Sequence, residues 1–224
     1  MGQRIFIVED HPVMRQGYEF LIGQDLGLEI CGGTGSADEA RLQVPEVNPD
    51  LVIVDLAIKG GSGLDLIKDL KAQLPDLRIL VVSMYDESLY ADRVIQAGAR
   101  GYLMKNQAHD RVNEAIHKVL DGGIYLSQAM RDEMLLKRVG RSKDSAGSPV
   151  DQLSDRELEV LEFVGQGRST REIGEHLRLS NKTVNSYRLR LREKLGIDPN
   201  AELRRRAVIW LEHEARPPDA LADD

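Results

Sequence analysis

The sequence predicts an α/β chain in two parts: a flavodoxin-like, doubly wound five-stranded parallel sheet, followed by a small all-α helix-turn-helix domain. Three observations carry this. Residues 1–121 alternate aliphatic runs with amphipathic stretches in strict strand–helix order, the pattern of a parallel sheet covered on both faces. Leu51-Val52-Ile53-Val54 is apolar without interruption, as a strand buried on both faces must be, and it delivers the carboxylate of Asp55 at its end. From Gln152 onward only helical periodicity remains. A length of 224 residues suits one large or two small domains, and the change of period favours two.

Taken in order, the first strand spans 4–8 and ends in Glu9-Asp10, and Pro12 opens a helix to about residue 24. A second strand follows over 28–32. Ser36 and Glu39 have capping-box spacing ahead of a helix with Ala37, Ala40 and Val44 inward. After Asp55, Gly60-Gly61-Ser62-Gly63 gives a flexible turn into a helix carrying Leu64, Ile67 and Leu70, stopped by Pro75. The fourth strand, 78–82, ends at Ser83. A helix over 87–97 leads to the short strand 101–104, which contains Tyr102 and ends at Lys105. The next helix places Val112, Ala115, Ile116 and Val119 at helical spacing. Residues 122–127 break that helix, Ser127 caps another over 128–139, and 140–149 read as a polar, aperiodic linker. The expected divisions are 1–121, then a helix and flexible linker over 122–151, the helical domain over 152–212, and an acidic, disordered tail over 213–224.

Composition narrows the function classes. Hydrophobic residues at 42% and charged residues at 30% describe a soluble globular chain, and no run approaches the roughly 18 apolar residues of a membrane span. Met1-Gly2-Gln3-Arg4 leads straight into a strand without a signal sequence, so no membrane association and a cytoplasmic location are expected. The lone Cys31 reads as a buried packing residue, and His11 as an exposed loop histidine outside any ligand set.

The carboxyl ends of parallel strands form the edge where ligands bind. Strands one, three, four and five deliver Glu9, Asp10, Asp55, Ser83 and Lys105 to it. Gathered carboxylates repel one another unless a cation holds them ionised, and oxygen-only ligands suit Mg²⁺. This set serves phosphoryl transfer onto a carboxylate. Asp55 can be the nucleophile, a Mg²⁺ held by Asp10 and Asp55 would neutralise the phosphoryl oxygens, Lys105 would add positive charge, and Ser83 can offer a hydrogen bond.

Glu9-Asp10, Asp55, Ser83, Tyr102 and Lys105 in this strand order resemble the receiver domain of two-component response regulators. The resemblance implies that Asp55 is the phosphoacceptor. Mg²⁺ would be bound by Asp10, Asp55 and the Ala57 backbone carbonyl, with Glu9 acting through water. Lys105 and Ser83 would stabilise the phosphoryl group, and Ser83 with Tyr102 would form the switch. Ile58-Lys59 stands where many receivers have Met-Pro, and Lys105-Asn106 where many have Lys-Pro.

In the second part, Ser154 and Glu157 form a capping-box pair before Leu158, Leu161 and Val164. Thr170 starts a short helix carrying Ile173 and Leu177. Ser180 caps a third over 181–195, stopped by Gly196, and a fourth runs over 201–211. Residues 178–206 hold nine Lys or Arg against three Asp or Glu, about +6 in a chain of net charge −7. That local excess is the footprint expected for phosphate contacts, and it offsets the acidic total. The candidate DNA-binding residues are Lys182, Thr183, Asn185, Ser186, Arg188, Arg190, Arg192 and Lys194. Val184, Leu191 and Leu195 mark the buried face of the third helix, with Tyr187 flanking it. Lys182, Asn185 and Ser186 are expected at base edges, and Arg190 and Arg192 at phosphates.

Leu153-Ser154-Asp155-Arg156-Glu157, Thr183-Val184 and Lys194-Leu195-Gly196-Ile197 resemble the LuxR-type DNA-binding domain. Asn185 and Tyr187 depart from the lysine and histidine more usual there. The whole chain is similar to NarL/FixJ response regulators, which implies a transcription factor phosphorylated by a sensor histidine kinase. Its partners would be double-stranded promoter DNA, RNA polymerase and, on phosphorylation, a second copy meeting through the first and fifth receiver helices. Its only catalysis would be self-phosphorylation and autodephosphorylation. A phosphoaspartate hydrolase is the rival enzyme class, but its usual second aspartate position is Ala57 here. A phosphorylation-independent DNA-binding regulator whose receiver serves for dimerisation is the other alternative.

Overall fold

The computed structural model describes residues 2–138, 149–197 and 202–213. They divide into two compact units, Met1–Leu135 and Leu136–Asp224.

In the first unit, β1 (Gln3–Val8), β2 (Leu28–Thr34), β3 (Leu51–Val54), β4 (Arg78–Ser83) and β5 (Gly101–Met104) form one parallel sheet in the order β2-β1-β3-β4-β5. The helices are α1 (Pro12–Gly23), α2 (Ala37–Val47), α3 (Gly63–Gln73), α4 (Glu87–Gln96) and α5 (Ala108–Leu120), and α6 (Gln128–Arg138) begins within the unit. All four residues of β3 are buried, as its unbroken apolar run requires. One core gathers Ile5, Ile53, Leu80 and Val82 of the sheet under Ile22 of α1 and Val112, Ile116 and Val119 of α5. Helices α2, α3 and α4 pack in sequence along the other face. The register then sets the functional edge. Val8, Val54 and Val81 are neighbours across β1, β3 and β4, and Ser83 pairs with Met104 of β5, so the residues following them converge.

Four sequence expectations change in detail. Ser36 makes no side-chain cap on α2; its amide donates to Thr34 Oγ1 (3.2 Å), and the Thr34 hydroxyl also takes Glu39. The competing acceptor two residues upstream defeats the capping box. The glycine-rich turn is anchored rather than loose: Ser62 is buried, and its Oγ accepts from Asp65 N (3.2 Å) at the start of α3. Gly63 is required by space, because a Cβ there would lie 2.5 Å from the Asp55 carbonyl oxygen. Cys31 is half-buried, its thiol donating to the Ile5 carbonyl (3.3 Å), because β2 is an edge strand.

The fourth change lies beyond α5. Tyr125 forms a parallel bridge to Gly101, accepting from Tyr102 N (2.8 Å) and donating to Arg100 O (3.0 Å). A Cβ on Gly101 would come within 3.1 Å of Tyr125, so the glycine permits this approach. Leu126 and Met130 are buried with the first unit, which continues past Asp121. Ser127 caps α6 as expected, its Oγ accepting from Met130 N, while its own amide donates to Glu87 Oε1 (2.8 Å).

The second unit contains a 3₁₀ turn (Pro149–Gln152) and helices α7 (Asp155–Gly165), α8 (Thr170–Leu177), α9 (Asn181–Leu195) and α10 (Glu202–His213). Its core holds Leu158, Leu161, Ile173, Val184, Leu191, Leu203 and Ala207. The Ser154–Glu157 capping box is present, and a second one joins Ser169 to Glu172. Val150 is buried at the 3₁₀ turn, so ordered packing starts before Gln152. Residues 140–148 of the expected linker over 140–149, the expected helix end at Val139, the expected start of the fourth helix at Ala201, and residues 214–224 of the expected tail lie outside the described residues. Among the described residues no helix is long and apolar enough to cross a membrane.

Candidate functional site

Backbone pairing brings the acids together. Asp55 N donates to Val8 O (3.0 Å) and Glu9 N to Thr34 O (2.9 Å), so both residues leave their strands at one level of the sheet. Lys105, leaving β5, reaches both. Its Nζ lies 2.8 Å from Asp55 Oδ2 and 2.6 Å from Glu9 Oε2, with all three side chains almost fully buried. Burial pulls the Lys105 pKa down, but the Asp55 and Glu9 carboxylates together outweigh it and leave the pKa raised. The other Asp55 oxygen, Oδ1, accepts from Ala57 N (3.2 Å). Tyr18 lies in the core behind this pocket, its pKa raised first by burial and then by the Glu9 and Asp55 charges.

Glu9, Asp10, His11 and Asp55 each offer a ligand atom within 4.8 Å of the others, an arrangement that could hold a metal ion. Asp10 Oδ1 is buried and receives no hydrogen bond from the described residues, although His11 Nδ1 approaches to 2.8 Å. A buried carboxylate oxygen so placed suits a hard cation. His11 is exposed, as expected, yet it is not a bystander, because its Nδ1 also lies 3.1 Å from Glu9 Oε1. Glu9 is engaged directly by Lys105.

Ser83 is fully buried at the end of β4, its Oγ accepting from Tyr85 N (3.2 Å). Tyr102 is buried with its hydroxyl donating to Tyr85 O (2.8 Å), and Tyr85 stacks on Tyr90 at 5.0 Å. Ser83 and Tyr102 therefore meet on one residue, Tyr85, which the sequence alone did not single out.

On α9, Val184 and Leu191 are fully buried and Leu195 nearly so, Tyr187 is intermediate, and Lys182, Asn185, Ser186 and Arg190 are exposed. Ser180 caps the helix through Thr183 N (3.0 Å), and its hydroxyl also pairs with Thr183 Oγ1 (2.7 Å). The Arg190 guanidinium lies over the Tyr187 ring, 5.6 Å from its centroid. Arg188 is half-buried and donates to Thr170 Oγ1 (3.3 Å); burial and then Arg192 hold its pKa below the usual value. Lys194 is committed internally: its Nζ lies 2.7 Å from Glu157 Oε2 and donates to Gln152 O (3.2 Å). Burial pushes the Glu157 pKa up, but Lys194 and Ser154 together outweigh it and leave the pKa lowered.

The model of the response regulator receiver domain matches residues 5–117, half of the chain. The chain belongs to the response regulator family. A second family model, bacterial regulatory proteins of the luxR family, matches residues 151–207 of this response regulator. It is 33% identical over 205 residues to response regulator GacA of Pseudomonas protegens, covering 92% of this chain and 95% of GacA. It is 31% identical over 217 residues to the DNA-binding transcriptional activator DevR/DosR of Mycobacterium tuberculosis, covering 96% and 97% of the two chains. Among solved structures, RcsB of Salmonella enterica serovar Typhimurium, bound to a promoter in the presence of phosphomimetic BeF₃⁻, aligns with TM-score 0.67 at 23% identity over 92% of this chain and 98% of RcsB. A LuxR-family regulator from Aurantimonas sp. SI85-9A1 aligns with TM-score 0.57 at 31% identity over 62% of this chain and 99% of that one. The doubly wound sheet with its helical second unit is thus the architecture of a receiver joined to a LuxR-type DNA-binding domain.

Proposed function

We propose that this response regulator is a phosphorylation-dependent transcription factor. A sensor histidine kinase, or a small acyl phosphate, gives its phosphoryl group to Asp55, and the protein then binds double-stranded promoter DNA as a homodimer in the cytoplasm and engages RNA polymerase. The observation that carries the reading is the placement of Lys105 on both Asp55 Oδ2 and Glu9 beside the acid cluster.

An Asp55 carboxylate oxygen attacks phosphorus, and the bond from phosphorus to the donor's nitrogen or oxygen breaks with its electron pair going to the donor. Attack by a carboxylate oxygen releases no proton. Lys105 follows the charge from the carboxylate to the phosphoryl oxygens, and Ser83 donates a hydrogen bond to one of them. Asp10, Asp55 and the Ala57 carbonyl would hold Mg²⁺, which when bound supplies the remaining positive charge that neutralises the phosphoryl group. Glu9 orients Lys105 and, with Mg²⁺ bound, would act on it through water. Recruiting the Ser83 hydroxyl from Tyr85 would shift the residue on which Tyr102 also rests, and so alter the α4–β5–α5 surface. On DNA, the exposed residues Lys182, Asn185 and Ser186 of α9 serve recognition and Arg190 binds phosphate, with Thr183 and Arg188 supporting the helix's amino-terminal half. Arg192 serves phosphates. Similarity to DevR/DosR across nearly the whole chain supports DNA binding.

The test weighs intact wild-type and Asp55→Asn protein after acetyl phosphate and Mg²⁺. Wild type gains one phosphoryl mass and Asp55→Asn none; equal gain in both would refute the assignment. Sedimentation with beryllofluoride checks dimerisation, which a monomer at tens of micromolar would contradict.

A further inference from the structure

The line along α9 opposite its buried residues is not uniformly basic. With 3.6 residues per turn, Val184, Leu191 and Leu195 share one line, and Lys182, Leu189 and Glu193 share the opposite one, with Asn185 and Ser186 beside it. Arg190 flanks this stripe on one side and Arg192 on the other, which suits the two phosphate walls of a groove. Leu189 stands at the centre, a large apolar side chain left 54% exposed.

A lone exposed leucine is ordinary on a protein surface. Leu189 differs by its place and by what its neighbours are doing. Asn185 Oδ1 already accepts from Thr170 Oγ1 (3.4 Å), and Ser186 Oγ donates to the Lys182 carbonyl (3.0 Å), so both adjacent polar groups are partly committed within the unit. The middle of the stripe is left to a side chain that can make only an apolar contact. The major groove presents one apolar group at its base edges, the thymine C5-methyl.

We infer that Leu189 is a specificity-determining residue that reads a thymine methyl in each half-site. The inference rests on α9 being the DNA-reading helix and goes further by naming the base and the group recognised. Removing the methyl exchanges a buried apolar contact for water and changes no hydrogen bond, so the preference it creates is for thymine over uracil. Burying one such group corresponds to about a fourfold change in affinity.

The test uses full-length protein treated with beryllofluoride. A site is first obtained by selection from random duplexes, and each of its thymines is then replaced singly by deoxyuridine. Wild type is expected to lose about fourfold at one thymine per half-site, and Leu189→Ala, an exposed change to a good helix former, to show equal affinity for thymine and uracil there while other positions keep their preferences. Wild-type indifference to every thymine methyl, or sensitivity that persists unchanged in Leu189→Ala, overturns the inference and leaves DNA reading by α9 intact. Failure to select any site overturns that broader reading and this one with it.

Discussion

In the receiver pocket the charges face one another, whereas along α9 most face solvent. Lys105, Glu9 and Asp55 are buried within hydrogen-bonding distance, and each fixes where the next one sits. Lys182 and Arg190 stand exposed on a helix whose geometry is set from behind by Val184 and Leu191. The first arrangement is expensive to disturb, because a buried charge that loses its partner keeps its desolvation penalty. The second tolerates substitution of its exposed residues almost without structural cost. The proposed phosphoryl transfer needs the former, and the proposed reading of a groove needs only a rigid scaffold with adjustable tips.

The sharpest way to break this contrast is at the backbone under Asp55. Gly63→Ala puts a Cβ against the Asp55 carbonyl and the Leu56 Cα, at 2.5 and 2.6 Å. Calorimetry should show the receiver transition destabilised by about 3 kcal/mol, with the second unit's transition unmoved. A change in both transitions would mean the units do not unfold independently. Next in size is Lys105→Met, expected to slow acetyl phosphate labelling of Asp55 about a hundredfold. Because the ammonium and a metal compete for the same carboxylates, Mg²⁺ binding measured by calorimetry should be retained or tightened in Lys105→Met and weakened in Asp10→Asn. Weakening in both would show that Lys105 organises the metal site.

A third test asks whether the second unit has any charge pair of the receiver's kind. Glu157 has its pKa lowered below the ordinary 4.5, with Lys194 and Ser154 outweighing burial. A depressed carboxylate stabilises the fold above its unfolded pKa, and that contribution is lost as pH falls through the lower folded value. Lys194→Met should therefore cost about 1–2 kcal/mol near neutral pH and much less in acid, where Glu157 is protonated. A pH-independent penalty would make Lys194 a packing residue instead. The smallest effect belongs to Arg190→Ala, which should weaken all DNA sequences alike and lower the salt slope by about one unit, with stability unchanged.

The sequence exposed the receiver because a parallel strand buried on both faces leaves an unbroken apolar run, and the residue after each run falls at one edge. Asp55, Ser83 and Lys105 could be read that way without knowing any distance. It also marked the buried line of α9 from Val184, Leu191 and Leu195. Partnerships across the chain stayed hidden. Nothing local announces that Lys194 turns back to Glu157, that Thr34 takes Glu39 away from Ser36, or that Tyr85 joins Ser83 to Tyr102. The Ser169–Glu172 box, by contrast, is legible from its spacing alone. The loop position of His11 shows its exposure, whereas its contacts with Glu9 and Asp10 depend on a side-chain rotamer.

The pairing of Tyr125 with β5 also bears on how this protein can be dissected. A receiver cut after Asp121 would keep every pocket residue, yet it would strip the outer side of β5, leaving Tyr102 N–H and Arg100 C=O without their partners on a bare sheet margin. Such margins recruit strands from other copies, so the shortened fragment would self-associate for a reason unrelated to phosphorylation. Ending the fragment beyond Met130 keeps the margin sealed and makes its oligomeric state an informative measurement.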